Sequence, residues 1–354
     1  MKSSLDRNSY APLHARIQRR LRQVVNSRPR AALAPNMLGG KEAHHSAGLH
    51  QAHLACCLAA VMLAGQVSAT SQVRRAETRR QTSVNTRTTP SEPTREVLKA
   101  TSLGGEALPY RVLVPADYER SARRYPVLYL LHGRTGDEND WWTRTNLSLY
   151  ATRYHLIIVT PGVGDSWYAN SAADPRARYE DAITRDLIPH IDARYRTLAN
   201  WHGRAIAGLS MGGLGAIKFA LRYPHLFAFA ASFSGAFDVP RTDGLDETDE
   251  RAQNIRRIYG PRDSATRREN DPFLLLERLA PEPARLPYLY VATGAGDPLP
   301  QVLLSNPRFA DALRERKIAY EYHERPGAHD WLFWDAEIKF ALERMSELMP
   351  QMRH

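Results

Sequence analysis

One hexapeptide in this 354-residue chain is arranged for chemistry: Gly208-Leu209-Ser210-Met211-Gly212-Gly213. An apolar run that reads as a strand (205–209) precedes the serine, and a helical pattern (213–222) follows it. Glycines flanking a serine allow a sharp turn from strand into helix, and that turn lifts the hydroxyl out of the sheet. The amide of Met211 then stands at a helix start, where it can face a developing oxyanion. A serine hydroxyl is a poor nucleophile at its ordinary pKa. It needs a neutral imidazole to take its proton and a carboxylate to fix the imidazole tautomer. The alternative is an ordinary serine in a glycine-rich turn, and the strand-turn-helix context weighs against it.

Both partners follow downstream. A strand at 288–292 runs into Thr293-Gly294-Ala295-Gly296-Asp297, a glycine-rich exit on which an aspartate can turn back toward the serine. A strand at 318–323 runs into Arg325-Pro326-Gly327-Ala328-His329-Asp330-Trp331. Serine, then acid, then histidine, with acid and histidine each on a loop after a strand, is a known chain order for such a triad. The expected set is Ser210, Asp297 and His329. The chain has 13 histidines, so it is the loop that singles out His329; His190 reads as a helix-surface residue. Asp330 suits a helix N-cap, and Asp335 lies on the base's own helix. Asp238, ending an earlier strand, is the serious rival to Asp297.

A further strand, 127–131, leads into His132-Gly133-Arg134-Thr135-Gly136-Asp137. Gly133 permits a turn that exposes the amide of Arg134, so the expected oxyanion donors are the backbone N–H groups of Arg134 and Met211. The Arg134 side chain reads first as a solvated arginine, with attraction of an anionic substrate group as the second possibility. Of the six tryptophans, Trp141, Trp142, Trp167, Trp331 and Trp334 sit near these loops. Core packing accounts for some of them. Trp142, Trp167 and Trp331 are the expected substrate contacts, suited to an apolar or aryl-bearing ester.

The elements that must position these residues alternate between strand and helix. Strands are expected at 110–114, 127–131, 156–159, 205–209, 227–232, 288–292 and 318–323, several of them continuous apolar runs of the kind buried on both faces. Helices are expected at 179–193, 213–222, 307–316 and 336–349. This alternation predicts an α/β fold, a mostly parallel central sheet flanked by helices. Residues 241–287 are charged and contain prolines, and read as an irregular insertion that caps a site.

Charge divides the chain. The whole carries 48 Lys+Arg against 38 Asp+Glu, a net +10. Residues 1–95 hold 15 basic and 4 acidic residues, so the remainder has 48 − 15 = 33 and 38 − 4 = 34, a net −1. The basic excess belongs to a low-complexity leader, and no nucleic-acid partner is expected for the body from 96 to 354. Within the leader, residues 54–65 form an apolar run of 12, too short to span a bilayer as a helix. With Val67-Ser68-Ala69 behind it and a start at Met37 before it, the segment 37–69 reads as a signal peptide, and the first 36 residues as upstream of the true start. The expectation is therefore a secreted or periplasmic protein without stable membrane insertion; the alternative is a basic disordered tail with a chance apolar patch on a cytoplasmic protein. Both cysteines, Cys56 and Cys57, lie in that apolar run, which leaves the body without a disulfide, a cysteine metal site or a cysteine nucleophile. No metal or organic cofactor is expected.

These residues together resemble the putative-esterase family of α/β-hydrolases, which includes esterase D (S-formylglutathione hydrolase), tributyrin esterases, feruloyl esterases and mycolyltransferases. The resemblance runs from about residue 107 to 345. Its marks are Tyr125-Pro126-Val127-Leu128-Tyr129-Leu130-Leu131-His132-Gly133, Ser166-Trp167-Tyr168-Ala169-Asn170-Ser171, Tyr179-Glu180, Leu187-Ile188-Pro189-His190-Ile191-Asp192, Gly208 to Gly213, Asn270-Asp271-Pro272 and Gly327-Ala328-His329-Asp330-Trp331. It implies an α/β-hydrolase fold with Ser210, Asp297 and His329 as triad and the Arg134 and Met211 amides as oxyanion hole. Two departures stand out. The acid loop reads Thr-Gly-Ala-Gly-Asp where many relatives have a Gly-Thr-Glu-Asp-like run. The serine motif begins Gly-Leu-Ser, nearer the tributyrin and feruloyl branch than the Gly-His-Ser usual in S-formylglutathione hydrolases.

The function expected is a serine carboxylic-ester hydrolase working through an acyl-enzyme on short-chain acyl or aryl (feruloyl-like) esters, small or carbohydrate-linked. Two alternatives keep the same triad: an acyltransferase of the mycolyltransferase type, and a thioesterase like S-formylglutathione hydrolase, which an exported location disfavours. A non-catalytic binding protein on the same scaffold would show a broken triad, and all three candidates are present.

Overall fold

The computed structural model of the protein describes residues 92–242, 248–279 and 286–353. Residues 1–91 of the leader, with the proposed signal segment and both cysteines, lie outside the described residues.

Eight strands form one sheet in the order β1-β2-β4-β3-β5-β6-β7-β8. They are β1 (Thr94–Lys99), β2 (Ala107–Leu113), β3 (Val127–Leu131), β4 (Ile157–Pro161), β5 (Arg204–Leu209), β6 (Phe229–Phe233), β7 (Tyr288–Gly294) and β8 (Tyr320–Arg325). β1 and β2 pair antiparallel with each other, and β2 pairs antiparallel with β4. The pairings from β4 through β8 are all parallel. This is the expected fold class, the α/β-hydrolase fold.

Every residue of β3, β4, β5 and β6 is buried, because helices cover both sheet faces. Successive side chains alternate between two cores. Val127, Tyr129, Leu131, Ile206 and Ala230 join one cluster, packed with Leu214, Ile217 and Phe219 of the helix Met211–Arg222. Leu128, Leu130, Ala205, Ala207 and Phe233 join the other, packed with Phe333, Ile338 and Leu342 of the helix Trp331–Leu348.

The helices that bear on the site are α1 (Asp140–Arg144), α2 (Leu147–Ala151), α3 (Met211–Arg222), α4 (Glu250–Tyr259), α5 (Ala265–Asn270), α6 (Pro272–Arg278), α7 (Pro300–Glu315) and α8 (Trp331–Leu348). The helical run expected at 179–193 is present as Tyr179–Asp181, a π-helical stretch Ala182–Leu187 and Ile188–Arg194. Three expectations are corrected. The segment 241–287, expected to be irregular, carries α4, α5 and α6, each opened by a capping side chain (Asp249, Ser264 and Asp271). α7 begins at Pro300, seven residues before the expected 307, and runs on through Pro307. β1 was not expected. Its sequence Thr-Arg-Glu-Val-Leu-Lys is largely exposed at the sheet edge, so burial imposes no apolar alternation on it. It also spans the boundary expected at residue 95.

Candidate active site

The loops at the carboxyl ends of the parallel strands converge on Ser210. β5 ends at Leu209, and α3 begins at Met211. Ser210 alone makes the turn, in a left-handed conformation with φ 51° and ψ −112°. Such a backbone costs a non-glycine residue about 1–3 kcal/mol. The surroundings fix it: its N–H donates to Phe233 O at 2.8 Å, and its carbonyl accepts from Leu214 N–H and Ala236 N–H, each at 3.1 Å. The flanking glycines are required by close approach. A Cβ on Gly208 would lie 2.5 Å from the backbone carbon of Gly212, and one on Gly212 would lie 2.6 Å from the carbonyl oxygens of Leu131 and His132.

His329 and Asp297 arrive on neighbouring strand ends. Residues of β7 and β8 pair as far as Gly294 and Arg325. Beyond that point the two loops remain tied, with Ala295 N–H donating to Arg325 O and Gly296 N–H to Gly327 O, both at 2.8 Å. A side chain at Gly294 would collide with Gly327 O at 2.6 Å. The Thr-Gly-Ala-Gly-Asp sequence thus lets the two loops lie backbone to backbone. His329 Nε2 lies 3.0 Å from Ser210 Oγ, and His329 Nδ1 lies 2.8 Å from Asp297 Oδ2. The Asp297 side chain is fully buried, and that of His329 is 15% exposed. Asp297 Oδ1 accepts from Leu299 N–H at 2.9 Å, and Trp334 packs edge-on against the imidazole with centroids 5.0 Å apart.

The rival acids are occupied elsewhere. Asp330 caps α8, accepting from Phe333 N–H at 3.0 Å. Asp335 accepts from Tyr150 Oη–H at 2.7 Å. Asp238 precedes a short 3₁₀ turn, its carboxyl raised by burial, and Arg308 and Arg241 are the cations that act on it. His190, expected at a helix surface, is half-buried and pairs with Tyr110 Oη at 3.0 Å.

The β3 exit is held by a buried histidine. His132 Nδ1 is 2.7 Å from Gly133 O, and His132 Nε2 accepts from Val163 N–H at 3.0 Å. That pattern requires a neutral ring with its proton on Nδ1. Burial pushes the imidazole below its ordinary 6.5, against smaller upward pulls from Gly133 O and nearby carboxylates. Arg134 and Met211 N–H groups find no backbone acceptor among the described residues, which leaves both donors free for a ligand.

Ser210 and His329 open into a cavity of about 460 Å³. Its walls include Trp167, Trp331 and Trp334, the aliphatic side chains of Leu299 and Val302, and the cations Arg134, Arg144 and Arg251. Three residues with left-handed φ, Thr135, Trp167 and Ser210, line it together. Trp167 and Trp331 both line this cavity. Trp142 is not brought to the cavity. In the short helix α1, consecutive residues project in different directions. Trp141 is buried, donating to Leu131 O at 3.0 Å, while Trp142 donates to Thr160 Oγ1 at 2.7 Å on the far side. Sequence reasoning missed Arg251, Leu299, Val302 and Arg144. Arg251 belongs to α4, within the segment expected to form a cap; the Asp249 cap before it was the signal available.

A buried ion pair holds the carbonyl of Tyr168, the residue after Trp167. Lys218 of α3 lies 3.1 Å from Glu180 Oε2 and donates to Asn270 Oδ1 at 2.7 Å and to the carbonyl of Tyr168. Arg222, at 3.1 Å, and the Tyr223 hydroxyl, at 2.6 Å, complete the partners of Glu180. Burial pushes the Lys218 ammonium down to about 8, against the pull of Glu180. Among the described residues, no group of three or more His, Cys, Asp or Glu side chains is placed to hold a metal, and no helix is long and apolar enough to cross a membrane.

Residues 101–345 match the family described as Putative esterase, and the chain belongs to that family. It is 35% identical over 250 residues to Esterase Rv1288 of Mycobacterium tuberculosis strain H37Rv, covering 62% of this chain and 51% of that protein. The chain thus spans about half the length of that relative. It is 29% identical over 231 residues to the acetyl esterase of Caldicellulosiruptor saccharolyticus, covering 62% of this chain and 83% of that one. Among solved structures it is similar to the fluorophosphonate-binding serine hydrolase FphF of Staphylococcus aureus, with a TM-score of 0.63 and 28% identity over 73% of this chain and 99% of the other.

Proposed function

We propose that the protein is a serine carboxylic-ester hydrolase acting on short-chain acyl or aryl esters. The observation that carries this reading is the unbroken hydrogen-bonded chain from Ser210 Oγ through His329 to buried Asp297, opening into a cavity of ester size. In this reading Ser210 Oγ attacks the ester carbonyl carbon while His329 Nε2 takes its proton. Asp297 holds the Nδ1 proton in place and stabilises the imidazolium. The Arg134 and Met211 amides receive the oxyanion. The tetrahedral intermediate collapses, the C–O bond to the alcohol breaks, and His329 returns its proton to the departing alkoxide. Water, deprotonated by His329, then attacks the acyl-enzyme and releases the acid with Ser210 restored. Trp167, Trp331 and Trp334 give the substrate an aromatic wall. The family membership, and an acetyl esterase among the similar proteins, support the class of reaction.

The test is hydrolysis of p-nitrophenyl acetate by the full chain and by Ser210→Ala. Loss of activity in the variant supports the proposal; equal rates in the two proteins overturn it. Export is part of the same proposal, resting on the segment 37–69, and N-terminal sequencing of protein recovered outside the cytoplasm tests it. A mature start just after Ala69 is expected, and an intact leader contradicts it.

A further inference from the structure

Three cations stand in the cavity wall, and they differ in how they are balanced. Arg144 lies 3.3 Å from Asp140 and stacks 5.6 Å from the centre of the Trp331 ring. Arg134 is loosely paired with Asp165 at 3.6 Å, and its side chain remains 40% exposed. Arg251 makes no ion pair with any carboxylate among the described residues. It is half-buried in the first turn of α4, where the helix dipole already disfavours a cation. Burial, and then the like charge of Arg134, push its guanidinium below its ordinary value, against a smaller upward pull from Asp249. Two guanidinium groups thus repel each other in one cavity whose lining carboxylates are engaged elsewhere, Asp140 with Arg144 and Asp330 as the cap of α8. Folding gains nothing from that placement; a bound anion would.

We infer that Arg251 and Arg134 form an anion subsite beside Ser210, and that the preferred substrate is an ester carrying a carboxylate away from the scissile bond. This rests on the ester-hydrolase reading above and names its substrate class. A planar carboxylate fits a guanidinium fork, and a half-buried site strengthens the contact relative to bulk water. The aromatic wall receives the neutral part of the molecule.

The experiment uses the full chain and two matched pairs of esters. On the alcohol side, p-acetoxybenzoate is compared with p-acetoxybenzamide. On the acyl side, mono-p-nitrophenyl adipate is compared with p-nitrophenyl hexanoate. The readout is the ratio of kcat/KM for the charged ester to that for its neutral partner, taken within each protein so that a general loss of activity cancels. The wild type is expected to favour the charged ester in one pair, and that pair tells which side of the ester the subsite receives. Arg251→Gln should lower this ratio about tenfold, mainly through KM, as expected for the loss of one charge-assisted contact. Arg251→Lys should retain most of the preference, and added salt should weaken it in the wild type. A wild type that favours the neutral ester in both pairs, or a ratio unchanged in Arg251→Gln, overturns the subsite while leaving the hydrolase reading intact. Failure of the wild type to hydrolyse any of the four esters overturns both.

Discussion

Replacing Asp297 with asparagine removes one charge and changes almost nothing in size. In the native site Oδ1 accepts from Leu299 N–H at 2.9 Å, and Oδ2 faces His329 Nδ1 at 2.8 Å. The Leu299 amide can only donate, so the new side chain keeps its carbonyl oxygen there and turns its NH₂ toward the imidazole. Nδ1 must then accept, and the ring proton moves to Nε2, facing Ser210 Oγ at 3.0 Å. Nε2 then has no lone pair left to accept the serine proton. Recovering the working tautomer sets two buried N–H donors against each other, at a cost of about 2–3 kcal/mol. The imidazolium that forms in the transition state also loses its charged partner, worth about 1.5–3 kcal/mol. Together these raise the barrier by about 4–5 kcal/mol, a fall in kcat of about 10³- to 10⁴-fold. The assay is kcat on p-nitrophenyl acetate, with thermal denaturation to show that the fold is retained. Asp330→Ala is the companion variant. It removes a helix cap worth about 1 kcal/mol of stability and leaves the base's partner in place. An Asp297→Asn enzyme within tenfold of the wild type, or an Asp330→Ala enzyme as impaired as Asp297→Asn, would refute this assignment of the acid.

Further outcomes follow from other contacts. Gly208→Ala places a Cβ 2.5 Å from the Gly212 backbone and 2.9 Å from Leu131 Cβ, neither of which can move freely; a loss of about 1–3 kcal/mol in denaturant unfolding, together with loss of esterase activity, is expected. His132 is held neutral, below its ordinary 6.5. As pH falls below that value the unfolded chain takes up a proton that the folded ring refuses. Stability therefore falls with pH by up to about 1.4 kcal/mol per unit, and Tm measured between pH 7 and 5 should drop less steeply in His132→Gln than in the wild type. Lys218→Met removes the ammonium on Glu180 Oε2 and leaves Arg222 as the remaining cation on that buried carboxylate. A cost of about 3–5 kcal/mol, roughly 10 °C in Tm, is expected by calorimetry, and unchanged melting would show that the pair adds no stability.

The legible parts of the fold were those where burial forces a pattern. β3, β5 and β6 are covered on both faces, so their sequences are dominated by apolar residues, unbroken in β3 and interrupted only by Arg204 at the start of β5, Gly208, and Ser232 in β6. The Ser210 turn was legible because only glycine fits against the Gly212 and Leu131 backbone. β1 was not, because an edge strand exposed to water can carry Thr, Arg, Glu and Lys. The early start of α7 was hidden by Pro307, normally a helix breaker; burial of Val302, Phe309 and Leu313 outweighs the missing hydrogen bond. Trp142 shows the limit of proximity in sequence. Lying close to the loop after β3 does not decide which side of a five-residue helix reaches the cavity. Arg251 shows the converse, reaching the cavity from a helix about 40 residues beyond Ser210 in the chain, a placement that only the folded sheet and its cap determine.

The central claim is that Ser210 Oγ is a nucleophile activated by His329. Reaction of the full chain with a fluorophosphonate, followed by mass-spectrometric mapping of the adduct, tests it directly. A single phosphonyl adduct on Ser210 is predicted, forming far more slowly in His329→Ala and not at all in Ser210→Ala. An unlabelled Ser210, or labelling that persists in Ser210→Ala, would contradict the account.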